Sequence, residues 1–103
     1  MKRGDIYVVT LDPTVGSEQA KTRPCVILST DIINDFARTV TIAPLSTKKR
    51  TKPFSFHVPY KESVIKVEQL RTVDKKRLVK RVDRIDYETQ SVVSSVLRKY
   101  FEY

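Results

Sequence analysis

The stretch VGSEQAKTRPCVILST, residues 15–30, decides how the chain is read. A polar loop runs into Arg23 and Pro24, and an apolar run, Cys25-Val26-Ile27-Leu28, follows at once. Proline has no N–H to give to a ladder, so Pro24 is at ease only as the first residue of a strand or on an edge. It also biases Arg23 towards an extended backbone. The run behind it is too short for a helix, rich in β-branched residues and closed by Ser29, Thr30 and Asp31. That pattern predicts a buried strand over Pro24–Ser29. Arg23 then stands where a loop enters a rigid strand, a place where a guanidinium is held still.

On the N-terminal side, Asp5–Leu11 carries β-branched and aromatic residues and predicts a first strand. Asp12-Pro13-Thr14 starts a turn, and Gly16 is available for a left-handed position. The loop from there to Arg23 is about a dozen residues, long for a compact domain, and long ordered loops tend to be functional. On the C-terminal side, Asp31–Phe36 reads as a single helical or 3₁₀ turn with Ile32 or Ile33 packing inwards. Arg38–Leu45 is a third strand whose end Pro44 pushes towards an edge or bulge, and Ser46-Thr47 closes it. Phe54, Phe56 and Val58 alternate on one face of a fourth strand, with His57 on the other as a solvated or hydrogen-bonded residue.

Residues 63–73 have room for a strand, a kink and a second short strand. Asp74 caps a turn, and Leu78–Val82 forms a last strand. Asp86 then caps a helix whose apolar positions Val92, Val93, Val96, Leu97, Tyr100 and Phe101 recur at three and four. Valine is a poor helix former, so packing must hold this helix. One C-terminal helix against several short antiparallel strands predicts a small, strongly bent α+β barrel. No repeat or linker divides it, so residues 1–103 are expected to form a single domain.

Composition narrows the company such a domain keeps. Hydrophobic residues make up 40% of the chain, so it has a core, yet no apolar stretch approaches a membrane span. Met1-Lys2-Arg3 is basic, but Gly4-Asp5 follows and no apolar signal region develops. One cysteine, Cys25, cannot make an intrachain disulfide and is expected as a buried thiol. The expected address is cytoplasmic, with no membrane partner. The net charge of +8 is uneven: residues 1–47 sum to zero, and residues 48–103 carry fifteen Lys/Arg against seven Asp/Glu. Two clusters dominate, Lys48, Lys49, Arg50 and Lys52, then Lys75, Lys76, Arg77, Lys80, Arg81 and Arg84. Together they favour a nucleic acid or an acidic protein as partner.

The chemistry is bounded by what is missing. The sequence has no phosphate-binding Gly-Lys-Ser/Thr loop, no dinucleotide fingerprint and no cluster of Cys or His spaced for a metal, so no cofactor or metal is expected. What remains is Arg, Ser/Thr, Asp, Glu and Gln in loops beside a basic surface. Those groups grip a phosphodiester and read base edges. They also suffice to cleave RNA, which brings its own nucleophile in the 2′-OH. Composition leaves binder and nuclease equally open.

RGDIYVVTLDP, VGSEQ, TRPCVILS and EQLRTVDKKRL, in this order and spacing, resemble the MazF/PemK family of toxin endoribonucleases from bacterial toxin–antitoxin modules. The likeness runs from Arg3 to about Leu97. It implies a curved SH3-like barrel with added helices, a homodimer, and metal-independent cutting of single-stranded RNA to 2′,3′-cyclic phosphate and 5′-hydroxyl ends. It also implies an acidic antitoxin that lies across the RNA groove. The family's catalytic arginine falls on Arg23 and its catalytic threonine on Ser46, a departure that keeps the hydroxyl, with Thr47 next door as the other choice.

The resemblance further places Arg71 and the acid Asp74 at the site. Where some members have a loop histidine, this chain has Ser17, so the candidate bases are Glu18 and Asp74. Gln19 and Gln69 would read base edges, and Ser17, Lys48, Lys49, Arg50, Lys75 and Lys76 would contact RNA. Because arginine is a poor equilibrium base, Arg23 is assigned to stabilising the crowded phosphorane. The competing readings are a non-catalytic nucleic-acid-binding barrel and a family member that targets DNA gyrase.

Overall fold

A computed structural model describes residues 1–11, 16, 21–47 and 54–102, and alternation along its strands sorts the apolar side chains into two cores. The chain runs β1 (Asp5–Thr10), β2 (Thr22–Ile27), α1 (Asp31–Phe36), β3 (Thr39–Ser46), β4 (His57–Tyr60) and β5 (Ser63–Lys66). A 3₁₀ turn (Val67–Gln69) leads to β6 (Arg71–Asp74), and a second (Lys75–Arg77) leads to β7 (Leu78–Arg84) and α2 (Tyr87–Tyr100). With a side-chain period of two, Val26 faces one way and Cys25 and Ile27 the other. The first set joins Ile6, Leu28, Ala43, Leu45, Val58 and Ile65 beneath Val93 and Val96 of α2. The second packs Val9, Leu11, Val40, Ile42 and Val73 around Cys25 and Ile27. Ile42 is fully buried, and cutting it to alanine would cost about 2–5 kcal/mol.

The expectation of a strongly curved, SH3-like barrel is corrected: the sheet is open. Its hydrogen-bonded order is β4-β5-β3-β2-β1-β7, with β6 branching from β3, and no ladder joins β4 to β7 among the described residues. Two features of the strand pairing oppose closure. The eight-residue β3 is shared, its Thr39–Ile42 half pairing with β6 and its Leu45-Ser46 end with β5, so the sheet forks instead of wrapping. And β7 meets β1 with two register shifts, which leave Val79 and Val82 without partners and 62% and 47% exposed. Bulges of this kind twist an edge strand and spoil it as a template for a further strand. Side chains span the gap: the Tyr60 O–H donates to Asp83 Oδ2 at 3.1 Å, with the Arg84 carbonyl 3.2 Å away, and Lys61 Nζ donates to the same Asp83 oxygen at 2.8 Å.

Element boundaries shift where local chemistry overrides pattern. Pro24 lies inside β2 and not at its start; it pairs with Val8, while pairing with β3 begins only at Cys25, so Pro24 occupies a locally one-sided position. His57 begins β4, and the residues before it form a turn in which the His57 N–H donates to the Phe54 carbonyl at 2.9 Å. In α1 the inward residue is Asn34, and Ile32 and Ile33 are exposed. Asn34 Nδ2 donates to the Ser29 carbonyl at 2.8 Å, and its Oδ1 accepts from the Ser29 hydroxyl at 2.6 Å. Gly16 takes the expected left-handed conformation, φ 62°. The helix α2 starts as predicted, with Thr89 N–H donating to Asp86 Oδ1 at 2.7 Å, and Arg98 and Lys99 sit in its last turn, where the helix dipole favours cations.

Candidate functional site

The alternation that buries Cys25 also sets what lies two residues before it. Arg23 shares the face of Cys25 and Ile27, pairs with Val9 across β1, and is half-buried. On β3 the same face carries Val40, Ile42, Pro44 and Ser46. The β2–β3 ladder pairs Ile27 with Ile42 and Cys25 with Pro44; projected two residues further, that register sets Arg23 across from Ser46. Arg71 opens β6 opposite Ile42 and so joins the same face. Arg23, Ser46 and Arg71 thus lie on one face of the sheet, with Arg71 opposite Ile42, four residues along β3 from Ser46.

Each is held by its surroundings. Arg71 Nη1 donates to the Leu11 carbonyl at 3.1 Å, a neutral acceptor that fixes the guanidinium without cancelling its charge. Ser46 is 4% exposed, so it belongs to a packed strand end and not to a loosely held loop. Cys25 lies beneath them with its Sγ donating to the Arg23 carbonyl at 3.5 Å. Burial pushes its thiol up to about 12, against the pull of the Arg71 charge. A thiol so shifted is no nucleophile at neutral pH. Gln69 ends the 3₁₀ turn before β6, half-buried and two residues from Arg71.

Other candidates lie elsewhere. Asp74 pairs with Thr39, so Asp74 and Ser46 sit at opposite ends of β3, about 23 Å apart at ~3.3 Å per residue. Its Oδ1 accepts from the Lys76 N–H at 2.8 Å and caps the basic turn Lys75–Arg77, where the Lys75 N–H donates to the Arg38 carbonyl at 3.0 Å. Thr47 is exposed and, next along the strand path, alternates away from Ser46. Ser17, Glu18, Gln19, Lys48, Lys49 and Arg50 lie outside the described residues. Among the described residues no group of three or more His, Cys, Asp or Glu could hold a metal ion. No helix among them is long and apolar enough to cross a membrane.

One contact was not legible as a site feature in the sequence. His57 Nε2 lies 3.0 Å from Glu68 Oε2, linking the start of β4 to the turn that carries Gln69. A lone histidine and a glutamate eleven residues on give no sequence signal, because only the β4–β5 hairpin brings them together.

Two arginines and a hydroxyl thus share one face of an open sheet, in a chain of net charge +8. The model of the PemK-like, MazF-like toxins of type II toxin–antitoxin systems matches residues 2–101, and the chain belongs to that family. It is 35% identical over 106 residues to the endoribonuclease EndoA of Bacillus subtilis (strain 168), covering 95% of this chain and 91% of that protein. Among solved structures, MazF of Deinococcus radiodurans (Form-I) superposes with a TM-score of 0.82 at 21% identity, covering 97% of this chain and 94% of that one. The MazE-MazF structure (Form-III) from the same organism gives a TM-score of 0.80 at 16% identity, with 97% and 94% covered.

Proposed function

We propose that this endoribonuclease cuts single-stranded RNA, such as mRNA, at the rim where Arg23, Ser46 and Arg71 share a face, and that no metal takes part. The placement of those three residues on one face by the strand registers is the observation that carries the reading. The 2′-oxygen attacks phosphorus, the 5′-oxygen leaves, and the products are a 2′,3′-cyclic phosphate and a 5′-hydroxyl. The protein has to take the 2′ proton, stabilise the phosphorane and protonate the leaving oxygen. Arg23 stabilises the phosphorane through its planar fork, and Arg71 adds a second oriented cation. The Ser46 hydroxyl bonds a phosphoryl oxygen. Of the two candidate bases, the separation of Asp74 from Ser46 supports Glu18, which lies in the loop leading into Arg23. Gln19 and Gln69 read base edges, and Lys48, Lys49, Arg50, Lys75 and Lys76 contact the backbone.

Two partners complete the reading. An acidic antitoxin occupies the same cationic surface and so competes with RNA, acting in the cytoplasm; the MazE-MazF structures of Deinococcus radiodurans support it. A second copy covers apolar surface that one subunit leaves open, for Ile32, Phe36 and Phe101 are 72%, 85% and 64% exposed. The deciding experiment is cleavage of short single-stranded RNAs in EDTA, with end-group analysis of the products. Cyclic phosphate ends support the reading. Tight RNA binding with no cleavage would leave a non-catalytic toxin, and inhibition of gyrase without RNA cleavage would point to that target instead.

A further inference from the structure

The pair formed by His57 and Glu68 lies beside the site and is not part of it. The imidazole is 9% exposed and the Phe54 ring meets it edge-on, with centroids 4.9 Å apart. Glu68 accepts a hydrogen bond from His57 at Oε2; its other oxygen, Oε1, is buried and has no hydrogen-bond partner among the described residues. A buried carboxylate oxygen without a donor is costly, and an apolar side chain would fill the same place without that cost. Stability alone therefore gives no reason for a carboxylate here.

The location of Glu68 supplies one. It is the middle residue of the 3₁₀ turn Val67–Gln69, which swings the chain from β5, whose Val64 pairs with Ser46, to β6, which begins at Arg71. Short 3₁₀ turns have poor internal hydrogen-bond geometry and are set by what holds them from outside. This one has no side-chain cap at Lys66. The Val67 N–H reaches the Phe56 carbonyl at a long 3.2 Å, and the Leu70 N–H closes on the Val67 carbonyl at 3.0 Å. The fully buried Val67 side chain anchors the turn in the core, and the link from His57 adds a polar tie to β4. Gln69 follows Glu68 directly, and Arg71 lies two residues further on.

We propose that His57 and Glu68 form a positioning pair that fixes Gln69 in place and thereby sets RNA affinity and sequence choice without touching the RNA. The inference rests on the RNA-cleaving function proposed above, but its structural half does not. Three variants separate the roles: His57→Leu removes the donor, His57→Gln keeps a donor near the Nε2 position, and His57→Leu/Glu68→Leu removes both partners.

In steady-state cleavage of a panel of short RNAs, His57→Leu should raise KM about tenfold, the size of one lost hydrogen bond to a charged group, and leave kcat within about twofold. Its cleavage-sequence profile should flatten, and His57→Gln should restore most of both. The double variant should be no worse than His57→Leu, because the pair acts as one unit. In parallel, ¹H–¹⁵N spectra of the RNA-free protein should show the Gln69 backbone and side-chain amide signals shifted or broadened in His57→Leu and restored in His57→Gln. If the folded His57→Leu protein keeps wild-type spectra at Gln69, the pair does not position it and the proposal fails. If the signals move while KM and the sequence profile do not, the proposal fails as an account of recognition. Absence of cleavage by the wild-type protein would instead overturn the proposed function, and the spectra would still decide whether the pair positions the turn.

Discussion

The two ends of the sheet use arginine in opposite ways. At the rim of the second core, Arg71 is fixed by the neutral Leu11 carbonyl, so the guanidinium is oriented and its charge stays available. On the β7 edge, Arg81 Nε and Arg84 Nη1 both bind Asp5 Oδ1, at 3.2 and 2.9 Å, and the charge is spent within the fold. Asp5 itself is 6% exposed; burial pushes its carboxyl up, but the Lys2 N–H and the two arginines more than offset this and hold it below the ordinary value. Lys61 does the same to Asp83 across the gap in the sheet. A count of basic residues treats all these groups alike. What distinguishes them is whether the acceptor is a carbonyl or a carboxylate, and that separates a binding surface from a fastening.

The largest effect should come from breaking the first region at its centre. Arg23→Lys keeps the charge but loses the fork that holds two phosphoryl oxygens, and single-turnover cleavage in EDTA should fall roughly 10²-fold or more. Binding of an uncleavable 2′-deoxy substrate should fall far less. A folded Arg23→Lys protein that cuts at nearly the wild-type rate would move the catalytic role to Arg71.

Ser46 sharpens the same end. Ser46→Ala should slow cleavage by about tenfold, as one hydrogen bond to a charged group is lost, and Ser46→Thr should keep activity because the hydroxyl survives. The site buries Ser46, so the added methyl tests how tightly the strand end is packed. If Thr47→Ala is the variant that loses activity, the hydroxyl has been assigned one residue too early.

The β7 edge should respond in stability and not in rate. Asp5→Asn removes the shared partner of Arg81 and Arg84, whose side chains are 52% and 41% exposed, so solvent screens much of the attraction. A loss of about 1–2 kcal/mol is expected from urea unfolding, with cleavage within about twofold of wild type. A large rate loss at unchanged stability would show that the two ends are coupled and would break the comparison.

The smallest effect is in acid. Hydrogen bonds from Lys61, the Arg84 N–H and Tyr60 hold Asp83 down to about 2, from an ordinary value of 3.8. The unfolded chain therefore takes up the proton first as the pH falls. The contribution is full above the ordinary carboxylate range and is lost as the pH drops through about 2. Urea midpoints measured from pH 6 downwards should decline more steeply for wild type than for Asp83→Asn. Parallel curves would show that the bridge across the open sheet adds nothing.

Much of this was legible in order along the chain. Residues 24–28 announce a buried strand, Asp86 a capped helix and Asp74 a capped turn, because each depends on neighbours a few residues away and on period alone. The sequence also determined the family, since its motifs keep their spacing, and it brought Arg23, Ser46 and Arg71 forward as candidates. It could not determine that these three share a face: that follows from the β2–β3 and β3–β6 registers, which long-range pairing sets. Nor could it show that Asp74 stands at the far end of β3, that Asn34 and not Ile33 turns inwards, or that His57 meets Glu68. Closure of the sheet was decided in the same way. The pattern of short strands suits a barrel, but the fork at β3 and the bulges at Val79 and Val82 exist only once strands have chosen partners, and they leave the sheet open.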